Sequence, residues 1–124
     1  MINEDKQKEP QIQQYLQEKD YSIVSVVNYL SDRYGNDSFF TNDFWDGDLC
    51  AIGLFDKEKK YLFYISTYLK KDGVFYVSCE TIGKENKRKN DVSGEYRNID
   101  IKKLDYLFSK HIGIEETPQN SRQK

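Results

Sequence analysis

The apolar residues of this chain change their spacing twice, from helical to alternating and back, and that switch limits the folds open to it. Ile23, Val26, Val27, Leu30 and Tyr34 recur at the i, i+3, i+4, i+7, i+11 positions of one helix face. Asp20 or Ser22 suits the start of that helix, and Gly35 with Asn36 suits its end. The Ile-Val and Val-Val pairs are poor helix formers, so the helix must rest on burying its face. Ile12, Tyr15 and Leu16 suggest a preceding turn or two, with Pro10 at a first helical position where its missing N–H costs nothing. Near the other end, Ile101, Leu104, Leu107, Phe108 and Ile112 share a face. Asp100 can cap it, and Gly113 with Pro118 ends it, so a second helix is expected from about Asp100 to Ile112.

Between the helices the period falls to two. Leu49–Phe55, Lys60–Leu69 and Val74–Ile82 are rich in β-branched and aromatic residues and read as three strands. Asp56–Lys59 is a short charged turn, and Lys71-Asp72-Gly73 a hairpin turn, so the strands form an antiparallel meander. Residues 36–48 read as a loop, residues 84–95 as a polar, basic one, with room for a short fourth strand near Tyr96. The expected class is α+β: an N-terminal helix, a three- to four-stranded antiparallel meander, and a C-terminal helix on one face of the sheet. A two-residue turn at Asp72-Gly73 sets Leu69 opposite Tyr76, Ile65 opposite Glu80 and Phe63 opposite Ile82. A four-residue first turn sets Ile52 opposite Phe63 and Leu54 opposite Tyr61. The helix-facing set is then Ile52, Leu54, Tyr61, Phe63, Ile65, Tyr76 and Ile82, with Tyr64, Ser66, Tyr68, Phe75, Val77 and Thr81 on the other face. A one-residue slip exchanges the faces.

At 124 residues the chain suits one domain, expected over residues 11–114. Leu, Ile, Val and Phe number 31 of the 124, above the level of about 20% below which disorder is expected. Residues 1–10 and 115–124 are polar and are expected to be disordered tails. No run approaches the roughly 18 apolar residues of a membrane span, and the N-terminal residues do not have the pattern of a secretory signal. With two scattered Cys, a cytoplasmic setting is expected. Residues 1–58 carry twelve acidic against five basic side chains, and residues 59–124 nine against fourteen. Such asymmetry suits either two solvated faces or a polar partner surface.

The parts for catalysis are few. His111 is the only histidine, and its place near a helix C-terminus has an ordinary dipole explanation. Cys50 and Cys79 both fall in strand patterns, point to opposite faces on the expected register, and read as buried free thiols. One His and two Cys do not close a zinc site, and neither a P-loop nor a dinucleotide fingerprint is present. Glu80, a carboxylate in an apolar strand, suits acid–base work or an edge ion pair. Lys84, Lys87, Arg88 and Lys89, with Tyr96 and Arg97, suit phosphate contact or plain solvation. The expectation is a protein without enzymatic activity, catalytic residues, metal or cofactor, and without a membrane, nucleic-acid or small-molecule partner.

The loop at 36–48 is the most distinctive stretch, with Phe39, Phe40, Phe44 and Trp45 among four Asp and no Lys or Arg. Its acids do not have EF-hand spacing and its terminal Glu is missing, which argues against calcium. Either the aromatics cover the end of the core, or Asp43, Phe44, Trp45, Asp46 and Asp48 form a partner-binding surface with aromatic anchors and steering charges. The hairpin KYLFYISTYLKKDGVFYVSCE (residues 60–80), following a helix and this aromatic–acidic loop, resembles small immunity proteins of bacterial polymorphic-toxin systems. The resemblance covers residues 20–112 as a pattern of elements. It implies a compact inhibitor that binds and neutralises a cognate toxin domain, and a basic nuclease fits such an acidic loop through charge steering. The alternative is a regulatory or structural protein-interaction domain.

Overall fold

A computed structural model describes residues 19–42, 48–82 and 91–113. Helix α1 spans Tyr21–Tyr34 and buries Ile23, Val26, Val27, Leu30 and Tyr34, the face expected from their spacing. The Asp20 carboxylate caps it, accepting from the Ser22 amide at 3.0 Å and the Ser22 hydroxyl at 2.6 Å. Gly35, at φ 102°, ends it and donates its amide to the Ser31 carbonyl. Helix α2 spans Ile101–Ile112 with Asp100 accepting from the Lys103 amide at 2.9 Å. Its stop is Gly113 in the left-handed conformation, and Lys110 and His111 sit in the last turn, where the dipole favours cations. The suggested turns around Ile12–Leu16, the stop at Pro118 and both tails lie outside the described residues.

The class is α+β, and the sheet is antiparallel throughout, but it has five strands rather than three or four. They are β1 (Phe40–Asn42), β2 (Ala51–Phe55), β3 (Tyr61–Ser66), β4 (Phe75–Thr81) and β5 (Asp91–Ile99), ordered in space as in the chain. β1 lies in the expected 36–48 loop, and β5 begins in the expected 84–95 loop. Neither has a readable pattern: β1 is three residues long, and β5 is an edge strand with mostly exposed side chains. Two register shifts, between Phe75 and Val77 and between Cys79 and Glu80, further break its alternation.

Turn geometry corrects the expected register. Asp56 still pairs, its amide donating to the Tyr61 carbonyl, and its carboxylate closes the turn by accepting from the Lys60 and Tyr61 amides at 2.7 and 2.9 Å. Ile52 therefore faces Ile65, and Leu54 faces Phe63. That is a slip of two residues, which leaves the faces as expected. The next connection is longer than the expected Asp72-Gly73 turn. β3 ends at Ser66, and two successive tight turns follow, with the Lys70 amide on the Thr67 carbonyl and the Val74 amide on the Lys71 carbonyl. Ile65 thus faces Val77, Phe63 faces Cys79, and Leu62 faces Glu80. This slip is three residues, so β4 turns over: Phe75, Val77 and Cys79 enter the core, and Tyr76 leaves it.

The core lies between one sheet face and the two helices. It joins Ile52, Leu54, Phe63, Ile65, Phe75 and Val77 to the apolar stripes of α1 and α2. Phe108 is its hub, meeting Phe63 at 5.1 Å and Phe39 at 5.4 Å edge-to-face, and Tyr34 at 5.7 Å. A polar clamp joins the two helices. The Asp105 carboxylate accepts from the Tyr34 and Tyr29 hydroxyls, the latter at 3.2 Å, and pairs with the Arg33 guanidinium at 2.8 Å. No helix among the described residues is long and apolar enough to cross a membrane.

Candidate functional site

Three chain segments meet at the end of the molecule where α1 begins. The Asp20 amide donates to the Leu49 carbonyl at 2.8 Å, and the Thr67 amide to the Cys50 carbonyl at 2.9 Å. The Ser22 and Thr67 hydroxyls share a hydrogen bond of 2.7 Å. These bonds bring the start of α1, the entry to β2 and the exit from β3 side by side. The residues they carry outward are apolar: Tyr21 is 79% exposed, Leu49 51%, Tyr68 64% and Leu69 85%. Half of the exposed large hydrophobic residues among those described thus belong to one pole. A set of this kind, rimmed by polar groups, is how a docking surface differs from scattered surface leucines.

Leu69 adds a second irregularity. Its φ is 59°, in the left-handed region that costs a residue with a Cβ about 1–2 kcal/mol. A strained backbone that presents an apolar side chain to water has no packing to explain it. Sequence reasoning missed Tyr68 and Leu69 by placing them inside a strand. The available signal was Lys70-Lys71-Asp72-Gly73, four successive residues suited to turns, which is too long for a two-residue hairpin.

Of the residues singled out in the acidic loop, Asp43, Phe44, Trp45 and Asp46 lie outside the described residues. Asp48 is described, exposed, and belongs to the pole. Its carboxylate accepts from the Cys50 amide at 3.1 Å, and its carbonyl from the Lys19 ammonium at 2.8 Å. Both flanks of that loop sit at this end of the sheet, since Asn42 pairs with Gly53 and Asp48 precedes β2. Phe39, in contrast, is core, and Phe40 is 42% exposed on β1. Nearby acids include Asp20, held ionised below the usual carboxylate range by the Ser22 hydroxyl and amide. Lys70 is directed away, its ammonium donating to the Arg97 carbonyl at 2.6 Å and the Asn98 side chain at 2.8 Å.

The sheet face opposite the core carries neither α1 nor α2. On it Tyr64 and Tyr76 meet edge-to-face at 6.0 Å, and Tyr76 donates to the Glu95 carboxylate. Burial pushes the Tyr64 hydroxyl up, and the charge of Asp48 adds to it. Glu80 is half-buried there, accepting from the Ser78 hydroxyl at 2.9 Å.

The His111 Nε2 lies 3.1 Å from the Leu62 carbonyl and 2.9 Å from that of Glu80, and its ring meets Tyr61 edge-to-face at 5.4 Å. Both neighbours only accept, so Nε2 carries a hydrogen and the ring ties α2 to β3 and β4. Cys79 is buried, and burial, then the charge of Glu80, pushes its thiol up to about 11. That opposes thiolate chemistry. Cys50 is a half-buried free thiol in the turn before β2, not within the strand as expected. Among the described residues no group of three or more His, Cys, Asp or Glu gathers as a metal site. Lys84, Lys87, Arg88 and Lys89 lie outside the described residues, while Arg97 is exposed on β5.

Comparison with protein-family models, curated proteins and solved structures finds no significant match.

Proposed function

We propose that this domain acts by binding alone, as an immunity protein that docks on a cognate bacterial toxin domain and neutralises it. The observation that carries the reading is the pole: Tyr21, Leu49, Tyr68 and Leu69 held outward by backbone bonds between three segments, with Asp48 at their edge. Burying a Leu side chain against a partner contributes about 1.5–3 kcal/mol, so these few residues supply a hydrophobic centre for an interface. Asp43, Phe44, Trp45 and Asp46, which follow β1 and precede Asp48, extend that surface in this reading with aromatic anchors and steering carboxylates. A basic toxin, such as a nuclease, suits the acids. The protein is placed in the cytoplasm, where such a toxin would act, and needs no cofactor.

The test is the neighbouring gene, which this reading expects to encode a toxin domain, followed by co-expression of the two. Growth rescue and a stoichiometric complex on gel filtration are expected. Trp45→Ala should then raise the dissociation rate, whereas Asp46→Asn and Asp48→Asn should slow association at low salt and matter little at high salt. A complex that leaves the toxin active favours the alternative, a regulatory or structural interaction domain. Absence of any complex with a demonstrably folded protein removes the toxin reading.

A further inference from the structure

Beside the pole, a groove of about 590 Å³ runs between the first turns of α1, the 72–75 segment and the start of α2. Its floor is apolar, formed by Val26, Phe75 and Ile101, of which Val26 and Phe75 belong to the buried core. Tyr21 and Tyr29 form its walls. Two carboxylates, Asp20 and Asp72, stand exposed at its rim, and among the described residues no Lys, Arg or His lines it.

We infer that this groove receives an apolar side chain of the partner protein flanked by a lysine or arginine. The inference rests on the binding reading above and names the chemistry it selects. An apolar floor under a rim that carries two carboxylates matches a residue such as Phe or Leu whose chain neighbours carry ammonium or guanidinium groups. Long basic side chains also lay their methylene stems on apolar surface while their charge stays in water.

One wall and one rim carboxylate are held before any partner arrives. Tyr29 is anchored through its hydroxyl to Asp105, and the Asp20 carboxylate is fixed by Ser22. That side of the groove leaves little ordering for binding to impose. Tyr21 belongs to both groove and pole, so a single extended segment can cross from one to the other.

The probe is the capped tripeptide acetyl-Lys-Phe-Lys-amide, titrated into the full-length ¹⁵N-labelled protein. Amide shifts should centre on Ser25, Val26, Gly73 and Ile101. The peptide should bind at least about tenfold more tightly than acetyl-Glu-Phe-Glu-amide or acetyl-Lys-Gly-Lys-amide, a difference of about 1.4 kcal/mol. Asp72→Asn should weaken it, and Ser25→Trp, which fills the groove, should abolish it in a protein with an unchanged melting curve. If Ser25→Trp fails to fold, the exposed Asp72→Lys decides in its place. Equal response to all three peptides, shifts confined to other surfaces, or no shift overturns the inference. The two readings fail separately. A toxin complex of full affinity with the groove filled removes the groove and leaves the pole, whereas peptide binding without any toxin complex keeps the groove and removes the toxin.

Discussion

Leu69 and His111 show how differently two residues at element ends are used. His111 donates one hydrogen toward two strand carbonyls and so serves the fold. Leu69 takes on backbone strain and covers nothing. Replacing Leu69 by Gly relieves the left-handed conformation but enlarges the unfolded ensemble, so a gain of about 0.5–1 kcal/mol is expected. The same variant should bind the partner at least about tenfold more weakly. Denaturant melts and binding measured on one preparation check both, and a variant that binds normally removes Leu69 from the interface.

Tyr34, Tyr76 and Cys79 make a second prediction about residues. Burial and then the bond to Asp105 push Tyr34 up to about 12, burial and then the bond to Glu95 push Tyr76 up to about 12, and burial pushes Cys79 up to about 11. All three are protonated in the fold at a pH where the unfolded chain has begun to release these protons. Their contribution is therefore complete below about pH 9 and is lost as the pH rises toward 12. The urea midpoint should hold from about pH 7 to 9 and then fall, less steeply in Tyr34→Phe. A midpoint that stays level to about pH 11 contradicts this.

At the scale of elements, what could be read from the chain depended on how each one is stabilised. Both helices bury a stripe, and their caps, Asp20, Gly35, Asp100 and Gly113, lie where the sequence places them. β2, β3 and β4 are central and apolar, so their existence was legible. Their facing was not, because it depends on the length of a turn, and Thr67–Val74 conceals a double turn behind Leu69. β1 and β5 are held by ladder bonds to a neighbour more than by buried side chains, which leaves little trace in residue type. The pole was half legible: Asp48 stood out within an acidic loop, whereas Tyr21, Leu49, Tyr68 and Leu69 come together only through three-dimensional pairing. The joint between α1 and α2 can be tested directly. Asp105→Ala leaves Arg33, Tyr29 and Tyr34 without their shared acceptor and should cost about 2–3 kcal/mol, against about 1 kcal/mol for Tyr34→Phe. Thermal or urea melts measure both, and equal small losses would mean that the clamp contributes little.

For the whole molecule, the meander places every strand beside its neighbour in the chain, while the Asp105 clamp joins the first described helix to the last. A sheet ordered in this way, left to itself, peels from an edge one strand at a time. The link from Tyr34 to Asp105, 71 positions apart, makes the two helices depend on each other. Amide hydrogens of α1, β3, β4 and α2 should therefore exchange with solvent through one shared opening, with a common free energy equal to that of global unfolding. In Asp105→Ala this should split into separate openings, α2 exchanging ahead of β3. A wild-type exchange pattern already divided by element would show that the strands, and not the joined helices, set the unit of cooperativity. On the first arrangement the exposed pole keeps one shape until the entire domain comes apart.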